Sequence, residues 1–217
     1  MNRFASVVLF TGSSLVASQS FGITLGQTDD YNDGTLQGWI TGDINPNPPV
    51  NVADAGQLGA GDHVMHVTSN GELGGPGAQP TIFNTTQWTG DYLAAGVNAI
   101  QLDINNLSSI PIHPGLEIRG PGGNLFTLAG ATVPANSGWT TVTISLDPAN
   151  FVGGNALNTL AGVTEFRFRE MQGGTVMIPS GATSAYYDNI TAVPEPASLA
   201  LIGLGACTLL RRRAAAA

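Results

Sequence analysis

The sequence predicts an all-β fold, an antiparallel β-sandwich of the jelly-roll type, on three observations. Glycine and proline are abundant, with 29 Gly and 13 Pro among 217 residues, which is too much for a helical bundle. Apolar and polar residues alternate with period 2 in several short stretches, and such strands have one buried and one solvated face. Turn signals separate these stretches, so one domain of two packed sheets is expected.

The alternation assigns each strand in turn. Ile100, Leu102 and Ile104 face one way, whereas Gln101 and Asp103 face the other. The Gly-Pro-Gly-Gly segment at 120–123 is a turn signal and predicts a hairpin. Two loops rich in Gly and Pro, and two short helical turns, complete the region. Strands are predicted at 63–68, 98–105, 116–119, 125–128, 140–146, 163–169 and 185–192, loops at 42–50 and 71–80, and helical turns at 147–151 and 155–160.

Charge excludes one class of partner. Charged residues make up 10% of the chain, there is no lysine, and four of the seven arginines lie near a terminus. Between residues 19 and 192 there are fourteen acidic residues against three arginines, a net charge of −11. Such a surface repels phosphate backbones and anionic membranes, so nucleic-acid binding is excluded. The single cysteine, Cys207, leaves this region without a disulfide.

The N-terminus predicts a secretory signal peptide over residues 1–20. Arg3 precedes a charge-free stretch that runs to Val16, and small residues follow at Ala17, Ser18 and Ser20. A positive residue, a short apolar stretch and a small-residue exit are the parts of a signal peptide. Signal peptidase is the expected partner. The alternative is a buried first strand or helix.

The C-terminus has three parts in order. Val193-Pro194-Glu195-Pro196 comes first, an apolar run follows at 197–210, and Arg211-Arg212-Arg213 closes it. As a helix the run would span about 21 Å, which is less than the roughly 30 Å of a hydrocarbon core. The arginines fix its orientation, because positive flanks stay cytoplasmic.

This order resembles the PEP-CTERM sorting signal of bacteria that make exopolysaccharide, here over residues 193–217. The resemblance implies recognition by an exosortase, a membrane cysteine protease-transpeptidase. The short helix would insert transiently into the inner membrane, and processing near Pro194-Glu195-Pro196 would release or transfer residues 21–192 to the cell surface or the extracellular matrix. The alternative is an ordinary tail anchor, which would leave a membrane-tethered periplasmic domain.

The middle of the chain resembles the galactose-binding-like jelly roll of many carbohydrate-binding modules. Three short motifs carry the resemblance: residues 29–34 (DDYNDG) with Gly38-Trp39, residues 138–148 (GWTTVTISLDP), and residues 186–190 (YYDNI). It implies that the first and last strands lie close together. It also implies a structural calcium between them, held by carboxylates of Asp30, Asp33 and Asp188. Asn32 stands where a glutamate is common, and the alternative is a solvated turn.

The three tryptophans are candidate sugar-stacking platforms, because flat aromatic faces pack on the apolar faces of sugar rings. Trp39 and Trp139 follow glycines at strand starts, which favours packing in the core. Trp88 lies between threonines and is predicted to be the exposed one. His63 and His66 are three apart in a strand, so they face opposite ways and do not share a metal.

The sequence predicts no enzyme. A glycosidase needs two carboxylates at a fixed separation. The candidates Asp103, Glu117, Glu165 and Glu170 are expected mostly on solvated strand faces, with Glu165 and Glu170 beside arginines. The expectation is an exported surface or matrix protein with a structural or carbohydrate-binding role and exopolysaccharide as the partner. The alternative is a surface enzyme that acts on polysaccharide.

Overall fold

The computed structural model describes residues 22–42, 44–71 and 75–194. The predicted signal peptide at 1–20 lies outside the described residues. So do Glu195, Pro196 and the arginines of the sorting signal, whereas Val193 and Pro194 lie within them.

The described residues form two antiparallel sheets and a few short helices, which confirms the all-β sandwich. The strands are β1 Thr28–Asp29, β2 Val50–Val52, β3 Val64–Ser69, β4 Ile82–Asn84, β5 Ala99–Asn106, β6 Pro114–Gly120, β7 Gly123–Thr127, β8 Gly138–Ser145, β9 Phe151–Gly153, β10 Glu165–Gln172, β11 Thr175–Val176 and β12 Thr183–Val193. The helices are α1 Tyr92–Ala95, α2 Ala156–Leu160 and a 3-10 turn, Pro148–Asn150.

Each sheet has six strands. The first has the order β2-β3-β12-β5-β8, and β1 also pairs with β12. The second has the order β11-β10-β6-β7-β9, and β4 also pairs with β10. Thr28 lies opposite Thr191, so the first and last strands are neighbours, as the resemblance implied.

The core lies between the two sheets, on the faces that the alternation predicted. Ile100, Leu102 and Ile104 of β5 are fully buried, as are Phe166 and Phe168 of β10. Burying each such side chain contributes about 1.5–3 kcal/mol. The helices at the rim are only four and five residues long, and none within the described ranges is long and apolar enough to cross a bilayer.

The hairpin between β6 and β7 is confirmed. Gly120 pairs with Gly123, which leaves Pro121 and Gly122 at the tip of the turn. A Cβ at Gly122 would collide with the backbone at Asn155, the N-cap of α2. Glycine is required there because the end of α2 lies directly against the turn.

The strands that the sequence did not predict are all short. β1 and β11 have two residues, and β2, β4 and β9 have three. Alternation cannot be recognised over so few positions. The helix α1 was also missed, although Asp91 caps its first turn and Gly96 ends it with φ +73°.

Candidate functional site

A row of partly exposed side chains crosses the outer face of the first sheet. His66 of β3 lies opposite Tyr186 of β12, Tyr186 opposite Asn105 of β5, and Asn105 opposite Trp139 of β8. Val50 of β2 extends the line at the side of His66. We call the four residues from His66 to Trp139 the aromatic row. Because cross-strand partners point to the same face, the row is continuous.

The rings of the aromatic row are in contact with one another. The Tyr186 ring meets the edge of His66 with centroids 5.1 Å apart. It stacks on Trp139 with centroids 6.4 Å apart and an interplanar angle of 28°. Two strands separated by a third are about 9.5 Å apart, so both rings lean over Asn105. The result is an apolar surface that stands above a sheet of otherwise polar residues.

His66 contributes an uncharged ring to this surface. Its Nε2 lies 2.8 Å from Ser184 Oγ, across the β3–β12 pair. Burial lowers the pKa of His66, so the imidazole is neutral at pH 7 and needs no anionic partner.

A polar row runs beside the aromatic row, two residues along each strand. Asp103 lies opposite Asp188 on one side and Thr141 on the other. Asp103 accepts hydrogen bonds from Thr141 Oγ1 at 2.6 Å and from Asn189 Nδ2 at 3.1 Å. Asn189 adopts φ +50° at a β-bulge in β12. Its amide therefore reaches both aspartates, since Nδ2 also lies 3.3 Å from Asp188 Oδ2.

Asp188 is almost closed off from solvent, with 1% of its surface exposed. Its pKa is raised to about 7, chiefly by burial and also by the neighbouring carboxylates of Asp62, Asp103 and Asp30. The N–H of Asn189 opposes this by donating to Oδ1 at 2.7 Å. Near neutral pH Asp188 therefore holds a proton for part of the time, which relieves repulsion with Asp103.

The three aspartates predicted to hold calcium do not form one cluster. Asp30 accepts hydrogen bonds from its own turn and from Gln37 Nε2 at 3.4 Å. Asp33 is exposed, and it accepts from the N–H and the hydroxyl of Thr35, both at 2.8 Å. Within the described ranges no group of three acidic, His or Cys side chains is arranged to hold a metal ion. The donor set therefore fits calcium poorly, and calcium at Asp30, Asp33 and Asp188 stays a prediction.

The prediction that Trp88 is exposed is wrong. Trp88 is fully buried, and its indole N–H donates to Asp29 Oδ2 at 2.6 Å. Trp39 is also buried and donates to the same oxygen at 2.7 Å. A buried indole needs such an acceptor, and Asp29 provides it. Trp88 cannot contact a sugar from this position.

Trp139 is the tryptophan that reaches the surface, although it was expected in the core. Val142 and Ile144 of β8 face inward, so Trp139, Thr141 and Thr143 share the outer face. The alternation over residues 140–146 places every odd-numbered residue on the outer face. Extended by one residue, the same alternation places Trp139 there as well.

The remaining carboxylates are less exposed than the sequence predicted. Glu117 forms ion pairs with Arg119 and Arg169 on the outer face of the second sheet, and Glu165 pairs with Arg167 there. Glu117 is only 1% exposed, and Glu170 faces the interior with 3% exposed. The expectation of a solvated face is wrong for both. Glu117 is enclosed by its two arginine partners, and Glu170 shares the inward-facing side of β10 with Phe166 and Phe168.

Comparison with known proteins identifies the C-terminal signal. Residues 192–213 match the family model of the PEP-CTERM protein-sorting motif. The motif implies that the chain is exported and sorted by an exosortase. The comparison with curated proteins found no match to this chain.

Solved structures of similar fold include a carbohydrate-binding module and two agarases. The family 11 carbohydrate-binding module from Clostridium thermocellum, in complex with a β-1,3-1,4-mixed-linked tetrasaccharide, is 16% identical with a TM-score of 0.51, covering 79% of this chain and 97% of the module. An exo-β-agarase is 11% identical with a TM-score of 0.58, covering 80% and 26%. Another agarase is 8% identical with a TM-score of 0.53, covering 79% and 24%.

The chain thus spans about a quarter of each agarase chain but nearly all of the binding module. At these identities the likeness concerns the fold. The chain carries a PEP-CTERM protein-sorting motif, which implies export, and its described domain is a jelly roll similar in fold to a carbohydrate-binding module.

Proposed function

We propose that the exported domain is a non-catalytic carbohydrate-binding module that holds polysaccharide along the aromatic row. The observation that carries this proposal is the register itself, which aligns His66, Tyr186, Asn105 and Trp139 across four neighbouring strands. These side chains are far apart in the sequence, and the stacked rings of Tyr186 and Trp139 lie on an open face rather than in the core.

The dimensions suit a polymer. Five strands from β2 to β8 span about 19 Å at about 4.8 Å per strand, which is enough for several sugar units lying across the sheet. Ring faces of Tyr186 and Trp139 would pack on the apolar faces of the sugars. Asn105, Asp103 and Gln101 alternate along β5 on the same side, and they would hydrogen-bond sugar hydroxyls.

Removing either large ring should weaken binding. We expect Trp139→Ala and Tyr186→Ala each to cost about 2 kcal/mol, or about thirtyfold in Kd, because buried aromatic anchors dominate such contacts. Affinity gel electrophoresis in mixed-linkage β-glucan and in agarose would measure the effect on the full-length protein. Mixed-linkage β-glucan has the linkages of the tetrasaccharide bound to the family 11 module, and agarose is the polymer after which agarases are named.

Phe126→Ala is the matched control, because Phe126 is a partly exposed aromatic residue on the second sheet, opposite Glu117. It should leave migration unchanged. Unaltered migration of the Trp139 and Tyr186 variants in a gel that retards the wild type would contradict the proposal.

The burial of Asp188 supports a non-catalytic role. Asp103 and Asp188 form the one directly opposed pair of carboxylates beside the aromatic row among the described residues. A glycosidase acid must reach the glycosidic oxygen, whereas Asp188 is 1% exposed and is held by Asn189. If the protein were instead a surface enzyme, it would release reducing ends from these polymers, and this release can be measured under the conditions of the binding assay.

Residues 1–20 are inferred to be a signal peptide that signal peptidase removes. The exosortase would then cut near Pro194-Glu195-Pro196, which removes the apolar run and its arginines. Intact-mass analysis of the surface-exposed protein should show a chain that starts near residue 21 and ends before residue 197. Retention of residues 197–213 would favour the tail-anchor alternative, and retention of residues 1–20 would contradict the signal peptide.

A further inference from the structure

The start of the sorting motif is built into the first sheet. The match to the PEP-CTERM motif begins at residue 192, whereas strand β12 continues to Val193. Ala192 and Val193 therefore belong to both the motif and the sheet. Ala192 lies opposite Ile100 of β5, and Val193 lies opposite Ala99. None of the surface of Ala192 is exposed, so an enzyme cannot reach this residue while the strand is in place.

The N-terminal segment of the domain holds Ala192 from the other side of β12. The N–H of Gly26 donates to the carbonyl of Ala192 at 2.8 Å, and the N–H of Ala192 donates to the carbonyl of Gln27 at 2.9 Å. Thr28 and Thr191 continue this contact, with their hydroxyl oxygens 3.0 Å apart. The two ends of the described domain are therefore joined to each other.

The β5 side closes around Val193. The N–H of Asn98 donates to the carbonyl of Val193 at 3.1 Å, and the carbonyl of Asn98 accepts from the N–H of Leu146 at 2.8 Å. The last residues of β12 are thus hydrogen-bonded on both edges. We call residues 26–29 and 98–99, which hold residues 192–193, the latch.

The sequence leaves little chain between the latch and the apolar run. Three residues, Pro194 to Pro196, separate Val193 from the run, which begins at Ala197. The chain from Val193 to Ala197 spans at most about 14 Å when it is fully extended. With the run inserted in the membrane, an enzyme that cuts near Pro194 would therefore work directly against this end of the domain.

The hydrogen bonds of the latch compete with any enzyme that binds this segment. Proteins that take up an extended peptide commonly pair with its backbone, but residues 192–193 have no free edge. Cleavage of a paired segment depends on how often the segment opens. Opening here breaks at least the three hydrogen bonds that Gly26, Gln27 and Asn98 make to residues 192–193, so the open form is a minor population.

We infer that the latch controls processing of the sorting signal: the exosortase receives the motif only after residues 192–193 have been released from the sheet. The inference rests on the exosortase processing proposed above, and it makes the folded domain the regulator of that step. A closed latch keeps the domain at the membrane, and each local opening allows the enzyme to cut.

Three variants test this inference in a Cys207→Ser background, which removes the single native cysteine. Ala99→Cys/Val193→Cys clamps the latch, because these residues are cross-strand partners at a separation that suits a disulfide. The linker variant inserts about eight Gly and Ser residues and then a second Ala-Val after Val193, so that a complete motif lies free of the sheet. The third variant combines the clamp with the linker.

Each precursor is purified in mild detergent from a host without an exosortase and is incubated with membranes of the bacterium that produces the protein. Intact mass follows the loss of residues 197–213. We expect the oxidised clamp to be processed at least about tenfold more slowly than the unclamped protein, and the linker variant at least about tenfold faster, because cleavage follows the open population. The clamped linker variant should be processed as fast as the linker variant, since its second motif is free.

Two controls separate the latch from other effects of a disulfide. Reduction of the clamp should return processing to the unclamped rate. Gln101→Cys/Thr143→Cys joins β5 to β8 at two exposed partners outside the latch, and it should be processed as the unclamped protein is.

Equal rates for the oxidised clamp and the unclamped protein would overturn the inference, because the enzyme would then read the motif within the sheet. Slow processing of the clamped linker variant would also overturn it, because the disulfide would then act without the latch. If even the linker variant stays uncut by membranes that process another PEP-CTERM protein, the exosortase processing itself is contradicted, and the latch with it. Failure of the latch alone is thus distinguishable from failure of the processing, and sugar binding on the aromatic row is measured separately.

Discussion

Asp29→Ala is expected to lower the free energy of unfolding by about 3–5 kcal/mol, because it breaks a buried polar network around one oxygen. Asp29 is 4% exposed. Its Oδ2 accepts from Trp39 Nε1 at 2.7 Å, from Trp88 Nε1 at 2.6 Å and from Gln87 Nε2 at 3.2 Å. Alanine would leave two indole N–H groups buried and unpaired, each costing about 1–3 kcal/mol.

The network also orders the core. Trp39 and Trp88 lie 5.8 Å apart and pack on Phe166 at 6.3 and 5.5 Å. β1, which carries Asp29, pairs with β12. Removing the Asp29 carboxylate should therefore weaken the packing of both sheets. Burial raises the pKa of Asp29, although the indole donors act in the other direction, so the carboxylate depends on these hydrogen bonds for its place in the core.

Urea unfolding followed by tryptophan fluorescence would measure the loss. Asp29→Asn keeps one acceptor oxygen and should cost less than the alanine variant. Asp33→Ala removes an exposed aspartate four residues away and should cost less than about 1 kcal/mol. A change below about 1 kcal/mol in Asp29→Ala itself would show that the tryptophans do not depend on this oxygen.

The role of Trp88 could not be predicted from its neighbours in the sequence. The acceptor that holds it in the core is 59 residues away, and the contact exists only because β1 closes against β12. The threonines around Trp88 suggested an exposed loop. By contrast, the outward position of Trp139 follows from the alternation of β8 alone. Local periodicity assigns a side chain to a face, but it does not find the buried partner of a polar atom.

The aromatic row illustrates the same limit at the level of the sheet. The alternation places Asn105 and Trp139 on outer faces, but the strand order β3-β12-β5-β8 decides which residues meet. His66 and Ser184 are 118 positions apart and share a hydrogen bond. Because the last strand inserts between β3 and β5, no local pattern predicts this register.

Glu170 gives the domain a dependence on pH. Its side chain is 3% exposed and faces the interior. Oε2 accepts from the N–H of His113 at 2.7 Å, and His113 Nδ1 lies 3.6 Å from the same oxygen. Oε1 is buried without a partner among the described residues. Burial raises the pKa of Glu170 to about 7, although the N–H of His113 opposes the rise.

The sign of the effect follows from the proton balance. Between pH 4.5 and about 7 the folded state holds the Glu170 proton and the unfolded state releases it. The contribution of Glu170 to the free energy of unfolding is therefore fully present below pH 4.5, and it is lost as the pH rises through about 7. The loss is on the order of 3 kcal/mol at about 1.4 kcal/mol for each pH unit. Glu170→Gln should match the wild type at pH 4.5 and exceed it by roughly this amount at pH 8.

Glu117→Gln is the control with the opposite sign. Burial alone would raise the pKa of Glu117, but the hydrogen bonds and charges of Arg169 and Arg119 outweigh burial and lower it. Glu117 thus stabilises the folded protein above the pKa that it has in the unfolded chain, and this stabilisation is lost in acid. Glu117→Gln should therefore destabilise the protein at pH 8. Urea unfolding of the wild type and both variants at pH 4.5, 6 and 8 compares the two carboxylates. If Glu170→Gln were no more stable than the wild type at pH 8, the unpaired Oε1 would have to be solvated, because a buried carboxylate without a cation cannot remain ionised at no cost.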